Sequence, residues 1–171
     1  GAEAFPSVSR MDWAVELYPW FEYYLKGIGD EPESYVQVQR NDGQWHIEET
    51  WPAEDTTNVQ YAIADWDGGM SGTVNSQQSM TITSQPLTED MHISGLPTLH
   101  IDARTNTCNG GQLFVTMFDG TSGLRLGHAT MDVRYRDGGY EAKATSPMTS
   151  YRMLMEFNPM DVIVPKGHTI Q

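Results

Sequence analysis

The chain has 171 residues and a mass of 19.2 kDa, and 39% of it is hydrophobic, which is enough for one folded domain with its own core. A net charge of -13 disfavours nucleic acid and anionic membranes as partners, because an acidic surface repels phosphate groups. No apolar run approaches the ~18 residues of a membrane span. The single cysteine, Cys108, excludes an internal disulfide and a cysteine-based zinc site; it favours a reducing compartment, so we expect a cytoplasmic protein.

The first predicted element is an amphipathic helix that begins near Trp13 and ends at Gly27. Pro19 should either start this helix or kink it, because proline lacks the N–H that a helix interior uses. Two interpretations of the apolar face remain open: it packs on the rest of this chain, or it packs on a neighbouring domain. The face is formed at steps of three and four residues by Leu17, Trp20, Phe21, Tyr24 and Leu25.

A β-hairpin is predicted after a short linker rich in Gly, Pro and acidic residues. Residues 35–40 alternate between apolar and polar, and the turn at 41–43 reads Asn-Asp-Gly, which favours a tight hairpin. The return strand carries Trp45 and Ile47 on one side and His46 and Glu48 on the other.

Further strands are predicted at intervals of about ten residues. Pro86, Gly95 and Pro97 mark a corner where the chain changes sheets. Eight or more short strands separated by turn signals predict an all-β fold, a jelly-roll β-sandwich. Besides the hairpin, the segments with strand patterns are 59–64, a short candidate before Gly95, 99–104, 113–118, 128–136, 151–157 and 162–164.

Motifs for catalysis and metal binding are incomplete. The G-x-S-x-G nucleophile elbow is absent, although Ser71, Ser94 and Ser122 lie beside glycines. Asp65 and Asp67 resemble the start of a calcium loop whose later ligands are lacking, and the histidines show no H-x-H or H-E-x-x-H spacing. We therefore expect no catalytic, cofactor-binding or metal-binding residue in this chain.

Asp102 and Asp132 are the carboxylates that a glycosidase mechanism could use if they faced each other. Each is followed two positions later by an arginine, Arg104 or Arg134. We expect cross-strand ion pairs at these positions instead.

Several short motifs follow one another along the chain. They are Trp20-Phe21, Leu25-Lys26-Gly27, Trp45, Trp51-Pro52, Pro86-Leu87 with Glu89-Asp90, Gly95-Leu96-Pro97, Arg125-Leu126-Gly127-His128, Arg134-Tyr135-Arg136-Asp137-Gly138-Gly139, Pro159-Met160-Asp161-Val162 and Pro165-Lys166-Gly167-His168. In order and spacing they resemble the join to the catalytic domain and the C-terminal non-catalytic domain in the X-prolyl dipeptidyl-peptidase and cocaine-esterase (acyl esterase) family of α/β-hydrolases.

The resemblance implies a division of the chain and a role for it. Residues 1–33 would be a helix and linker that join a preceding hydrolase domain, absent here, and residues 34–171 a jelly roll resembling galactose-binding domains without its final strands. The domain would brace the catalytic domain of a serine hydrolase and shape its substrate pocket, with the catalytic triad in that other domain and no cofactor. Interdomain packing would fall to Trp20, Phe21, Tyr24 and Leu25.

Two other functions remain open. The chain could be a free-standing carbohydrate-binding module with Trp45, Trp51 or Trp66 as stacking platforms, and buried tryptophans would argue against this. It could also be a structural sandwich that forms homo-oligomers through an open sheet edge. An aromatic helix without a partner inside the chain would favour the hydrolase hypothesis. The sequence does not distinguish a peptidase from an esterase.

Overall fold

The N-terminal helix predicted from the sequence is present. The computed structural model describes residues 12–63 and 79–171, and helix α1, Asp12–Phe21, leads directly into a π-helical turn at Glu22–Lys26. Pro19 lies inside α1, where it cannot supply an N–H to the carbonyl one turn earlier. Gly27 ends the helix in the left-handed conformation, and its N–H donates to the carbonyl of Tyr23 at 3.0 Å.

Short strands make up most of the regular structure after Gly27 in the described residues. Each pairs with an antiparallel neighbour, and the first two form the predicted hairpin. The strands are β1 (Val36–Gln39), β2 (Trp45–Glu48), β3 (Met91–Gly95), β4 (Thr98–Arg104), β5 (Gln112–Phe118), β6 (Arg125–Asp132), β7 (Ser150–Glu156) and β8 (Met160–Val164).

The strands from β3 to β8 pair in a nested order. β5 pairs with β6, β4 pairs with β7, and β3 pairs with β8, so each pair encloses the previous one along the sequence. Such nesting results when one long hairpin folds over on itself. The predicted all-β sandwich preceded by a helix is confirmed.

One apolar core joins the three nested pairs. Half-buried side chains from β3, β4 and β5 pack against it, including Ile93, Leu99 and Val115. β7 shows the predicted alternation, because Met153 and Met155 are buried and the residues between them face outward. The buried cluster consists of Leu126, Ala129, Met155, Phe157, Met160, Val162 and Val164.

Two strand predictions are wrong, one in the extent of the strand and one in its existence. The strand expected to reach Arg136 ends at Asp132, because the Asp132 carboxylate accepts a hydrogen bond from the N–H of Arg134 at 2.9 Å and begins a 3-10 turn, Val133–Tyr135. Residues 59–63 form no strand. Residue 64 and the segment 65–78 lie outside the described residues.

Candidate interdomain surface

Four side chains along α1 and the π-helical turn form one exposed patch, which we call the aromatic surface: Trp20, Phe21, Tyr24 and Leu25. Ring centroids lie 5.4 Å apart between Trp20 and Phe21 and 4.9 Å apart between Trp20 and Tyr24, so the rings are in contact. The exposed fraction runs from 42% for Phe21 to 72% for Leu25. This exposure disfavours the interpretation in which the sandwich covers the helix face.

Local polar contacts hold the aromatic surface in shape. The Lys26 ammonium lies 3.2 Å from the Glu22 carboxylate one turn earlier. The Tyr24 hydroxyl donates to Glu31 at 3.3 Å, across the turn that follows the helix. Partial burial and the charge of Glu31 raise the pKa of Tyr24, so this hydroxyl remains a donor at neutral pH.

The β1–β2 hairpin has one inward and one outward side. The predicted separation on β2 is confirmed: Trp45 and Ile47 point to one side and are exposed, whereas His46 and Glu48 point to the other and are half-buried. On β1 the half-buried valines 36 and 38 share the inward side, and glutamines 37 and 39 share the outward side. We call Trp45 and Ile47 the hairpin surface.

A group of charged residues, the ion cluster, connects the hairpin to the rest of the sandwich. The side chain of Asp161 on β8 is 1% exposed, and its Oδ1 accepts from Arg40 Nε at 2.8 Å and from His92 Nε2 at 2.9 Å. Arg40 also reaches Glu48 on β2 at 3.2 Å. Burial opposes ionisation, but the hydrogen bonds from His92 and Arg40 outweigh it and lower the pKa of Asp161. The cluster therefore attaches the hairpin to β3 and β8.

A second buried carboxylate, Asp119, brings together a serine and a histidine in an arrangement that differs from a catalytic triad. Ser122 Oγ donates to Asp119 Oδ2 at 2.6 Å, and His168 Nδ1 lies 2.7 Å from the same oxygen. In a triad the histidine lies between acid and serine, so that it can accept the hydroxyl proton. Here the hydroxyl bonds to the acid, and the three residues join the turn after β5 to the C-terminal segment.

The hydrogen bonds around Asp119 also set its ionisation. Burial raises its pKa, but the bonds from Ser122, His168 and the backbone of Thr121 lower it further, to about 2. Next to this site, Phe118 and Gln171 exchange two backbone hydrogen bonds of 2.8 and 2.9 Å. The carboxylate is thus a structural anion rather than a proton carrier at neutral pH.

The other residues singled out in the sequence show no catalytic grouping where the structure describes them. Ser94 Oγ accepts from the N–H of Ala53 at 3.2 Å, which is a structural contact. Several candidates lie outside the described residues: Asp65, Trp66, Asp67 and Ser71.

Asp102 and Asp132 both form ion pairs, as predicted, but not both across strands. Asp102 pairs with Arg152, its register partner on β7, at 3.3 Å, rather than with Arg104. Asp132 binds Arg134 on its own segment at 2.6 Å, and these bonds lower the pKa of Asp132. Because both carboxylates are engaged by arginines, neither is placed as a glycosidase acid.

Residues 12–63 and 79–171 lack two other kinds of feature, a metal site and a membrane span. No group of three or more His, Cys, Asp or Glu side chains could hold a metal ion. No helix in that part of the chain is both long and apolar enough to cross a membrane.

The ion cluster was missed by the sequence analysis. Its one signal is Asp161, an acid within the apolar run of β8, since a charge in a buried strand needs a partner. The partners Arg40 and His92 lie 121 and 69 residues away along the chain. No local pattern could have identified them.

Comparison with known families matches residues 26–171 to the X-Pro dipeptidyl-peptidase C-terminal non-catalytic domain. No curated protein sequence matches significantly.

Solved structures that share the fold include an aminopeptidase and a hydrolase. An aminopeptidase from the marine sediment archaeon Thaumarchaeota archaeon superposes with a TM-score of 0.64 at 16% identity, over 98% of this chain and 37% of that one. A CocE/NonD family hydrolase from Staphylococcus aureus superposes with a TM-score of 0.61 at 13% identity, over 96% of this chain and 38% of that one. The chain therefore spans little more than a third of the length of these proteins.

Proposed function

Because this chain belongs to the X-Pro dipeptidyl-peptidase C-terminal non-catalytic domain family, we propose that it supports the catalytic domain of a serine hydrolase. The hydrolase would release X-Pro dipeptides or cleave acyl esters. The similar structures carry the names aminopeptidase and CocE/NonD family hydrolase, and more than half of each lies outside the region that matches this chain. That remaining length has room for a catalytic domain.

The observation that carries the proposal is the exposure of the aromatic surface. Covering a fully exposed large apolar side chain stabilises by roughly 1.5–3 kcal/mol. Trp20, Phe21, Tyr24 and Leu25 are already partly covered, so their burial would contribute on the order of 4 kcal/mol in total. No part of the sandwich within residues 27–63 and 79–171 covers these side chains and gains this energy, whereas a neighbouring domain would.

The chemistry would belong to the neighbouring domain. There a serine, activated by a histidine base, would attack the carbonyl carbon and form an acyl-enzyme that water hydrolyses. The role of this chain would be to hold a rigid surface against that domain and to shape the mouth of the substrate pocket with its loops. The nested strand pairs support a jelly roll as the framework for this task, and the lone exposed Cys108 agrees with a cytoplasmic setting.

The carbohydrate-binding alternative has weaker support. Trp51 is half-buried, which argues against it as a stacking platform, whereas Trp45 is exposed on the hairpin surface beside Gln39. Homo-oligomer formation is a second alternative, and two copies with a charge of -13 each would repel one another.

The test is the double substitution Trp20→Ala with Phe21→Ala in the full-length polypeptide. We expect it to lower the melting temperature of the joined domains by several degrees, because apolar contacts between the domains are lost, and to leave the reactivity of the serine toward a fluorophosphonate probe unchanged. Leu154→Ala, an exposed aliphatic residue on β7, is the matched control. Equal melting of the double variant and the control would contradict the proposal.

A further inference from the structure

The loop between β4 and β5, residues 105–111, contains an asparagine that is followed by glycine, Asn109-Gly110. Asn109 is exposed and lies in a turn. The backbone nitrogen of the next residue can attack an asparagine side chain, and glycine permits this attack most readily, because it has no Cβ to obstruct the approach and has the most freely rotating backbone. A spontaneous modification is therefore expected first at this pair of residues.

The backbone at position 110 requires glycine. Gly110 has a φ of +74°, in the left-handed region that favours glycine. A Cβ there would also lie 2.7 Å from Arg134 Cγ, and the guanidinium of Arg134 is held by its bonds to the carboxylate of Asp132. No other residue fits this position without strain, so the fold itself places a glycine after Asn109.

A buried hydroxyl group restrains the nitrogen that would react. The N–H of Gly110 donates to Thr145 Oγ1 at 3.0 Å, and the hydroxyl of Thr145 donates in turn to the carbonyl of Thr107 at 2.9 Å. Thr145 is 3% exposed, so water competes little for its hydroxyl. The nitrogen must lose the proton of this hydrogen bond before it can attack, and the reaction therefore requires the bond to open.

We propose that Asn109 is a self-modification site whose rate is controlled by Thr145. When the hydrogen bond opens, the Gly110 nitrogen loses its proton and bonds to Asn109 Cγ. The bond from Cγ to the side-chain nitrogen breaks, and that nitrogen leaves with a proton as ammonia. Water then opens the cyclic imide at either carbonyl, which leaves an aspartate or an isoaspartate and adds a negative charge to the loop. This inference is independent of the proposed function.

The first measurement needs no variant. The full-length polypeptide is incubated at neutral and at mildly alkaline pH, and the tryptic peptide 105–125, which contains both Asn106 and Asn109, is sequenced by mass spectrometry. We expect acid to accumulate at Asn109 rather than at Asn106, which precedes a threonine, and to accumulate faster at the higher pH, because the attacking nitrogen must lose a proton. No conversion at Asn109, or an equal rate at Asn106, would overturn the proposal.

The second measurement tests the restraint by Thr145. Thr145→Val removes the hydroxyl and should raise the rate about two- to tenfold, the factor that corresponds to one neutral hydrogen bond. Thr145→Ser keeps the hydroxyl and should react at the rate of the parent. The matched control is Tyr151→Phe, which removes the neighbouring bond from the N–H of Ser146 and leaves Gly110 untouched. Equal rates in Thr145→Val and the parent, or equal acceleration by Tyr151→Phe, would overturn the role of Thr145.

Discussion

The buried carboxylate of Asp119 makes stability depend on pH in a defined window. Its pKa is about 2 against an ordinary value of 3.8, which corresponds to about 2.5 kcal/mol of folding free energy at ~1.4 kcal/mol per pH unit. Because folding lowers this pKa, the unfolded chain takes up the proton first as the pH falls. The stabilisation is therefore fully present above about pH 4 and is lost as the pH falls toward 2.

Asp119→Asn removes the charge and keeps the shape of the side chain. Urea denaturation of the 171-residue chain at pH 7, 4 and 3 should give a free-energy difference between parent and variant that falls with pH. We expect about 2.5 kcal/mol at pH 7 and roughly half of that near pH 3. Asp102→Asn, at an exposed ion pair, should show a difference near zero throughout. A difference for Asp119→Asn that stays constant between pH 7 and 3 would refute the reasoning.

Two further substitutions test the packing of the hairpin and the core. Asp161→Asn should destabilise the chain by about 2–4 kcal/mol in urea denaturation, because Arg40 loses a buried anionic partner; a loss no larger than that of Asp102→Asn would contradict the role of the ion cluster. Gly127→Ala should cost no more than about 1 kcal/mol in thermal melting, because the atom that the new Cβ would meet is Met160 Cε, the end of a flexible side chain that can move aside. A cost well above that value would show that Met160 cannot move.

Strands were predicted best from the sequence where one face is buried and the other is exposed to solvent. Met153 and Met155 alternate with Arg152 and Leu154, and β7 has this pattern in the structure because only one of its faces meets the core. The strand predicted at β6 is longer than the observed strand, and the reason is local. Asp132 satisfies the N–H of Arg134 with its side chain, so the backbone turns although the apolar pattern continues.

The orientation of the hairpin could not be predicted from alternation, because a period of two identifies two sides without saying which is inside. The inward side carries Val36 and Val38 together with Glu48, and Glu48 is bound by Arg40, whose other partner, Asp161, lies far along the chain. The helical spacing of the aromatic surface could be recognised in the sequence, but its exposure to solvent is known only from the structure. Long-range polar contacts therefore account for most of what the sequence analysis missed.

The measurement that tests the central claim most directly is the denatured mass of the native polypeptide that contains this domain, captured from its source with an antibody against residues 34–171. The account predicts a chain well above 19.2 kDa, since the domain spans little more than a third of the proteins it resembles in structure. A native polypeptide of 19.2 kDa would contradict it, because the aromatic surface would then have no catalytic domain to contact.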